Sequence, residues 1–242
     1  MPADPFLSVV IPCLNEENRL GSTLEKVAAF LRTKEYRWQV LIVDDGSTDR
    51  TVDVPARYMT AEECVVLKND GNRGKGYSVR HGVLEAAGEF VLISDADLST
   101  PIQEWDRFLP HLEAGYDVVI GSRSLPDSNV VKRQAWYRQG MGRAFNKIIR
   151  FLVIDDFVDT QCGFKAFRRS AGAPLFKKMR IDHFCFDVEM LFLAKKAGLK
   201  VLELPVEWHN SEDSRVRILQ DSSKMLKDAI RIRINDLLGR YR

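Results

Sequence analysis

Short, unbroken apolar runs alternate with stretches of helical spacing through the first half of the chain. The runs are Ser8–Ile11, Gln39–Val43, Val65–Leu67, Phe90–Ile93 and Asp117–Ile120. None alternates polar with apolar positions, the pattern of strands covered on both faces. Between the first two, Leu20, Leu24, Val27, Ala28 and Leu31 recur on one helical face. Tyr77–Ala87 and Ile102–Leu112 read as further helices, with Gly88 as the C-cap of the former and Thr100-Pro101 opening the latter. Strands alternating with helices predict an α/β fold, a mostly parallel Rossmann-like sheet with right-handed crossovers and helices on both faces.

The second half is less regular. Tyr137–Ile154 has helical apolar spacing with Arg138, Arg143, Lys147 and Arg150 interleaved. Asp187–Ala197 reads as a helix ended by Gly198, Val201–Leu204 as a strand, and Leu219–Leu238 as a helix with Leu226, Ile230, Ile234 and Leu237 on one face. The pattern divides the chain into residues 1–215, in two halves (1–123 and 124–215), and a basic amphipathic helix over 216–242.

Composition narrows the classes. A chain of 242 residues, 45% hydrophobic, buries a full core without staples. A net charge of +2 gives no argument for nucleic-acid binding. The charge is uneven: from Arg215 onward, basic residues outnumber Asp221, Asp228 and Asp236. Such a tail suits an anionic membrane surface, or an ordinary solvated helix face. Cys13, Cys64, Cys162 and Cys185 lack zinc-ligand spacing and read as reduced, buried thiols. No signal peptide is evident, and no apolar run approaches the roughly 20 residues that cross a bilayer. The expectation is a soluble or surface-associated protein.

Ligands of such sheets sit beyond the carboxyl ends of the strands. That rule selects Pro12–Glu16, Asp44–Ser47, Asp95–Asp97 and Gly121–Arg123, all polar or turn-forming. Asp95-Ala96-Asp97 offers two hard carboxylates to Mg2+ or Mn2+, with positions left for phosphate oxygens; a solvated turn is the plainer reading. Asp44 or Asp45 can accept the imino N–H of a base, or can simply shape a turn. Asn72–Gly76 precedes a helix whose N-terminus attracts anions, with Lys75 beside it; it lacks Walker-loop spacing. Arg123 can clamp a phosphate with two N–H groups or form a surface ion pair.

These residues carry a resemblance. Val10–Glu16 (VIPCLNE), Val43–Asp49 (VDDGSTD) and Asp95–Asp97 resemble the inverting family-two glycosyltransferases of GT-A fold. Val119–Arg123 (VIGSR) narrows the likeness to the polyprenyl-phosphate branch. Asp159–Lys165 (DTQCGFK) and Phe186–Glu189 (FDVE) are similar to the dolichyl-phosphate β-glucosyltransferases. The likeness runs from about Leu7 to about Asp228. It implies that Pro12, Asn15, Glu16 and Asp44 or Asp45 frame the nucleotide, with Lys75 nearby. Asp95, Ala96 and Asp97 would hold the diphosphate, the two carboxylates taking a divalent cation. Arg123 and Arg138 would meet donor or lipid phosphates, and Asp159, Gln161, Gly163 and Phe164 would lie beside the sugar and acceptor. In mannosyl relatives a glutamine two places after the second metal aspartate can ligate metal; Ser99 stands here instead.

The resemblance implies transfer of a hexose, glucose from UDP-glucose, to polyprenyl or dolichyl phosphate, by an enzyme held peripherally at the cytoplasmic face of a membrane. The acceptor is mostly a dianion at neutral pH and needs little help from a base. If one is needed, Asp95, Asp159 and Asp187 are the candidates. The competing readings are GDP-mannose as donor, a soluble glycan as acceptor, a nucleotide-sugar-binding regulator, and a nucleotidyltransferase.

Overall fold

The computed structural model describes residues 4–131, 148–209 and 218–242, with side chains described from residue 223 onward in the last segment. The apolar runs form strands β1 (Leu7–Cys13), β2 (Trp38–Asp44), β3 (Cys64–Lys68), β4 (Phe90–Ile93) and β5 (Val118–Ser122). A short β6 (Asn129–Val130) pairs with β9 (Glu207–Trp208) beside the main sheet. β7 (Lys165–Arg168) and β8 (Val201–Pro205) complete a seven-stranded sheet of order β3-β2-β1-β4-β7-β5-β8. Every pairing within it is parallel except those of β7, which runs antiparallel to β4 and β5.

Burial on both faces follows from the strand sequences. In β1, Leu7, Val9, Ile11 and Cys13 face one core, which also takes Leu20, Leu24 and Val27 of α1 (Leu20–Leu31) and Trp105, Phe108 and Leu112 of α3 (Trp105–Glu113). Val10 faces the other core, with Val79 and Val83 of α2 (Lys75–Glu85), Leu175 and Phe176 of α4 (Arg169–Lys178), and Val188 and Leu191 of α5 (Phe186–Lys196). Each fully buried Val, Leu, Ile or Phe side chain contributes about 1.5–3 kcal/mol. α2 lies close on the sheet because Gly82 has no side chain: a Cβ there would stand 2.5 Å from a Val10 methyl.

Several expectations change. α2 begins two residues before the predicted start and ends before extended Ala86. Gly88 is no helix cap; its N–H donates to Ser8 Oγ at 2.8 Å, joining the entry of β4 to β1. After Ser47 and Thr48 the chain makes 3-10 turns over Thr51–Asp53 and Pro55–Arg57. α6 (Ile218–Leu237) forms where predicted, but its apolar row points outward. Leu226, Ile230, Ile234 and Leu237 are exposed, while Met225, Ala229 and Ile232 are buried. Ala229, Ile232 and Tyr241 share the α2–α5 core, so α6 packs on the domain. The four cysteines are free and buried. Burial raises their thiols, Cys64 to about 12. Most of the predicted Tyr137–Ile154 helix, with Arg138, Arg143 and Lys147, lies outside the described residues; residues 148–152 are helical.

Candidate active site at the carboxyl edge of the sheet

The parallel directions of β1, β2, β4 and β5 bring their carboxyl ends to one edge. After β1 the chain turns through Asn15 at φ 54°. Asn15 N–H donates to Ser47 Oγ at 2.8 Å, and its Oδ1 accepts the Thr48 N–H at 2.7 Å, tying the β1 loop to the β2 loop. Glu16 N–H donates to Thr51 Oγ1 at 2.7 Å, and its carboxylate pairs with Arg19 Nη2 at 2.7 Å. Asp44 accepts the Ser47 N–H at 3.2 Å.

Asp45 is committed to the backbone. Its carboxylate accepts Arg73 N–H at 2.9 Å, Gly74 N–H at 2.8 Å and Asn69 Nδ2 at 2.8 Å. Three donors on one buried carboxylate fix the loop that leads into α2. Of the two residues left open as a base contact, Asp45 is therefore the one that shapes the loop. The loop passes Gly74 at φ 103° and delivers Lys75, whose Nζ lies 2.6 Å from Asp95 Oδ1.

Asp95 and Asp97 follow β4. Burial opposes ionisation of Asp95, but Lys75, Lys165 and Arg123 outweigh it and hold the carboxyl below the usual range. Asp97 Oδ1 accepts the Ser99 N–H at 3.0 Å. Ser99 is buried, and its carbonyl accepts the His209 N–H at 2.7 Å; it locks the turn. Ala96, expected at the donor, is buried with its carbonyl taking the Thr23 hydroxyl at 2.7 Å. Gly163 lies against Asp95: a Cβ there would fall 2.0 Å from Asp95 Oδ2, so any side chain at 163 would displace the Asp95 carboxylate.

Arg123, one residue past β5, donates Nε and Nη2 to Asp159 at 2.7 and 2.8 Å. The Asp159 carboxylate also accepts N–H groups of Arg123 at 3.0 Å and Gln161 at 3.1 Å. Burial would raise its pKa, but Arg123 and these bonds hold it at about 2. A third pair lies deeper. Lys165, 1% exposed at the start of β7, donates to Asp187 Oδ1 at 2.6 Å and to the Cys162 carbonyl. Burial raises Asp187 despite Lys165 and Lys75. Phe164, expected beside the acceptor, is a core residue: it is 1% exposed and meets Phe108 edge-on at 5.1 Å. Arg138 lies outside the described residues.

Sequence reasoning missed three contributors. Lys165 opens a four-residue strand that no apolar run announces. Glu203 of β8 accepts the N–H groups of Val158 and Asp159 at 2.9 and 2.7 Å, holding the Asp159 loop. Trp208 carries its ring 5.6 Å from the Arg123 guanidinium. Neither of these has a local signature.

Among the described residues no three His, Cys, Asp or Glu side chains gather into a metal cage. Asp95 and Asp97 still fit a hard divalent cation of the kind that keeps waters and takes phosphate oxygens, because such ions need only one or two protein carboxylates.

A mostly parallel sheet with one reversed strand, and an Asp-x-Asp turn at its carboxyl edge, defines a GT-A glycosyltransferase. Mannosyl-3-phosphoglycerate synthase from Rubrobacter xylanophilus matches the fold with a TM-score of 0.71 over 98% of this chain and 75% of that one, at 21% identity. Glucosyl-3-phosphoglycerate synthase from Mycobacterium tuberculosis, in complex with Mn2+, UDP and glucosyl-3-phosphoglycerate, gives 0.63 at 17% identity, over 98% and 80% of the two chains.

The chain belongs to glycosyl transferase family 2, whose family model matches residues 8–174. Dolichyl-phosphate β-glucosyltransferase of Dictyostelium discoideum is 34% identical, over 97% of this chain and 76% of the relative. The Saccharomyces cerevisiae enzyme of that name is also 34% identical, over 98% and 77%. The Homo sapiens enzyme is 30% identical, over 98% and 77%.

Proposed function

We propose that this protein transfers glucose, with inversion, from a nucleoside diphosphate glucose to the phosphate of a dolichyl-type polyprenol. One observation carries the reading: each of the three candidate bases already has its own cation. Asp95 is paired with Lys75, Asp159 with Arg123 and Asp187 with Lys165. A carboxyl held at about 2, as Asp159 is, makes a weak base. That suits an acceptor that arrives ionised, as a phosphate monoester does with its second pKa of about 6. An alcohol acceptor needs a base to take its proton, and Asp95 and Asp159, both held below the usual carboxylate range, are poorly suited to that, which favours the phosphate acceptor.

In the proposed reaction a lipid phosphate oxygen attacks the anomeric carbon from the side opposite the nucleotide. The bond from that carbon to the donor phosphate oxygen breaks, and its electron pair leaves with the nucleoside diphosphate. An α-linked donor thereby gives a β-linked lipid phosphate sugar, and no proton moves. Asp95 and Asp97 would hold a divalent cation, Mg2+ or Mn2+, which supplies Lewis-acid stabilisation of the departing diphosphate. Lys75 and Arg123 add positive charge near Asp95, preorganised by Asp45 and Asp159. Asn15 and Asp44, at the β1 and β2 ends, lie where a base would seat.

A lipid acceptor also suits α6. Its outward row is 47% exposed at Ile230 and Ile234 and 85% at Leu237, and Phe151 is 89% exposed. Arg231 and Arg233 stand beside that row. An apolar ridge with basic flanks lies at a headgroup layer, so the enzyme docks peripherally on the leaflet that carries its acceptor. Among the described residues no helix is long and apolar enough to cross a membrane.

The test uses vesicles bearing dolichyl phosphate, manganese, and labelled UDP-glucose, GDP-mannose or GDP-glucose in separate arms. The expected product is an organic-extractable, acid-labile β-glucosyl phosphate from UDP-glucose. Ile230→Asp with Ile234→Asp should slow transfer to vesicles and spare transfer to a short, detergent-dispersed polyprenyl phosphate. Label passing only to a soluble sugar would refute the lipid acceptor; label entering from GDP-mannose alone would move the sugar assignment.

A further inference from the structure

A buried carboxylate that the proposed reaction does not use grips the segment packed against the start of α2. Glu189, on α5, is 0% exposed. Its carboxylate accepts the Arg180 N–H at 3.0 Å, the Ile181 N–H at 2.9 Å and the Tyr241 hydroxyl at 2.5 Å. The two N–H groups can only donate; they and the Tyr241 hydroxyl oppose the burial that raises the Glu189 carboxyl. Tyr241, past the end of α6, is 2% exposed, its ring 6.2 Å from that of Phe192.

The segment that Glu189 holds lies against the first turn of α2. The Asp182 carbonyl accepts the Tyr77 N–H at 3.0 Å, and the Asp182 carboxylate pairs with Arg80 at 2.7 Å. Contact is closest at two glycines. A Cβ on Gly74 would stand 2.5 Å from the Asp182 carbonyl oxygen, and one on Gly76 would stand 2.7 Å from that of Ile181. Lys75 sits between them. Asp45 fixes the same turn from the β2 side. The Lys75 backbone is therefore clamped from two directions, and one of them ends at Tyr241.

We propose that Tyr241 and Glu189 are positioning residues for Lys75: the Tyr241 hydroxyl orients the Glu189 carboxylate, which sets the 180–183 segment and through it the lysine that faces Asp95. The proposal rests on the reading of Lys75 as a donor-site cation. Neither residue touches substrate. The arrangement also joins α6, the element assigned to the membrane side, to the diphosphate side of the site.

The experiment is a double-mutant cycle on the full chain, with kcat and KM for donor and acceptor measured for Tyr241→Phe, Lys75→Ala and the pair. Tyr241→Phe keeps the ring and removes only the hydroxyl. It should lower kcat roughly tenfold or more, the scale of a small misplacement at a reacting site, and leave acceptor KM unchanged. In the Lys75→Ala background it should add nothing. Phe192→Leu serves as the control for stability, since it loosens packing at the Tyr241 ring and removes none of the hydrogen bonds to Glu189. Multiplicative losses in the double variant would overturn the proposal. So would an equal loss of kcat in Phe192→Leu at matched thermal stability, or a wild-type rate in Tyr241→Phe. Wild-type turnover in Lys75→Ala would overturn both this proposal and the donor-site reading. Failure of the latch alone is distinguished by an impaired Lys75→Ala with independent effects.

Discussion

Asp97→Asn is expected to reduce transfer by about a thousandfold or more while the protein stays folded. The substitution is isosteric, and its amide oxygen can still accept the Ser99 N–H that Asp97 takes at 3.0 Å. The Lys75–Asp95 pair is untouched, so the donor-side loop keeps its shape. What disappears is one negative ligand for a divalent cation at the leaving group. Lewis-acid stabilisation there is worth several kcal/mol, and about 4 kcal/mol is a thousandfold in rate. The check is kcat/KM alongside a thermal melt. Near-normal turnover with an unchanged melt would remove Asp97 from the metal site.

Arg123→Ala should cost both activity and stability, and the stability loss should depend on pH. Asp159 is 4% exposed and its strongest partner is the Arg123 fork. Removing one member of such a pair leaves a buried charge uncompensated, typically at about 3–5 kcal/mol. Arg123 keeps 32% of its side-chain surface, which places the expectation near the lower end, about 3 kcal/mol at pH 7. The sign follows from the depressed pKa. Asp159 contributes stability fully above the ordinary aspartate value of about 3.9. That contribution is lost as pH falls through its folded value of about 2. A protonated Asp159 needs no arginine, so the difference between wild type and Arg123→Ala should shrink from pH 7 toward pH 3. Urea unfolding at both pH values measures it. An equal difference at the two would show that the lost stability is packing, not charge. Arg123→Lys should recover part of the stability and little of the activity, because an ammonium cannot reproduce the two-pronged bond.

The parts of the fold that the sequence made legible share one cause. β1, β2, β4 and β5 are buried on both faces, so their runs are apolar throughout. The polar residues that follow each run then had to lie at one edge. β7 escaped because it is four residues long and carries Lys165 and Arg168. Asp187, distant in sequence, and the Cys162 carbonyl make a buried lysine tolerable there. The row Leu226, Ile230, Ile234 and Leu237 of α6 leaves open whether it faces the core or a membrane surface, because amphipathicity does not say which side is covered; the buried side is built from Met225, Ala229 and Ile232.

Within the site, residue types were legible and partners were not. Asp45 fixes the Lys75 loop, Glu16 pairs with Arg19, and Phe164 packs on Phe108. Motif position could not separate these from contacts to a ligand. The Glu189–Tyr241 bond joins positions 52 residues apart, with no periodic signal between them.

The central claim is that Asp95 and Asp97 share a divalent cation with the donor diphosphate. Crystals grown with UDP and Mn2+ test it by anomalous scattering at the manganese edge. The account predicts one peak at the carboxyl end of β4, within bonding distance of Asp97 and of a diphosphate oxygen. Ordered UDP with no manganese near either aspartate would contradict it.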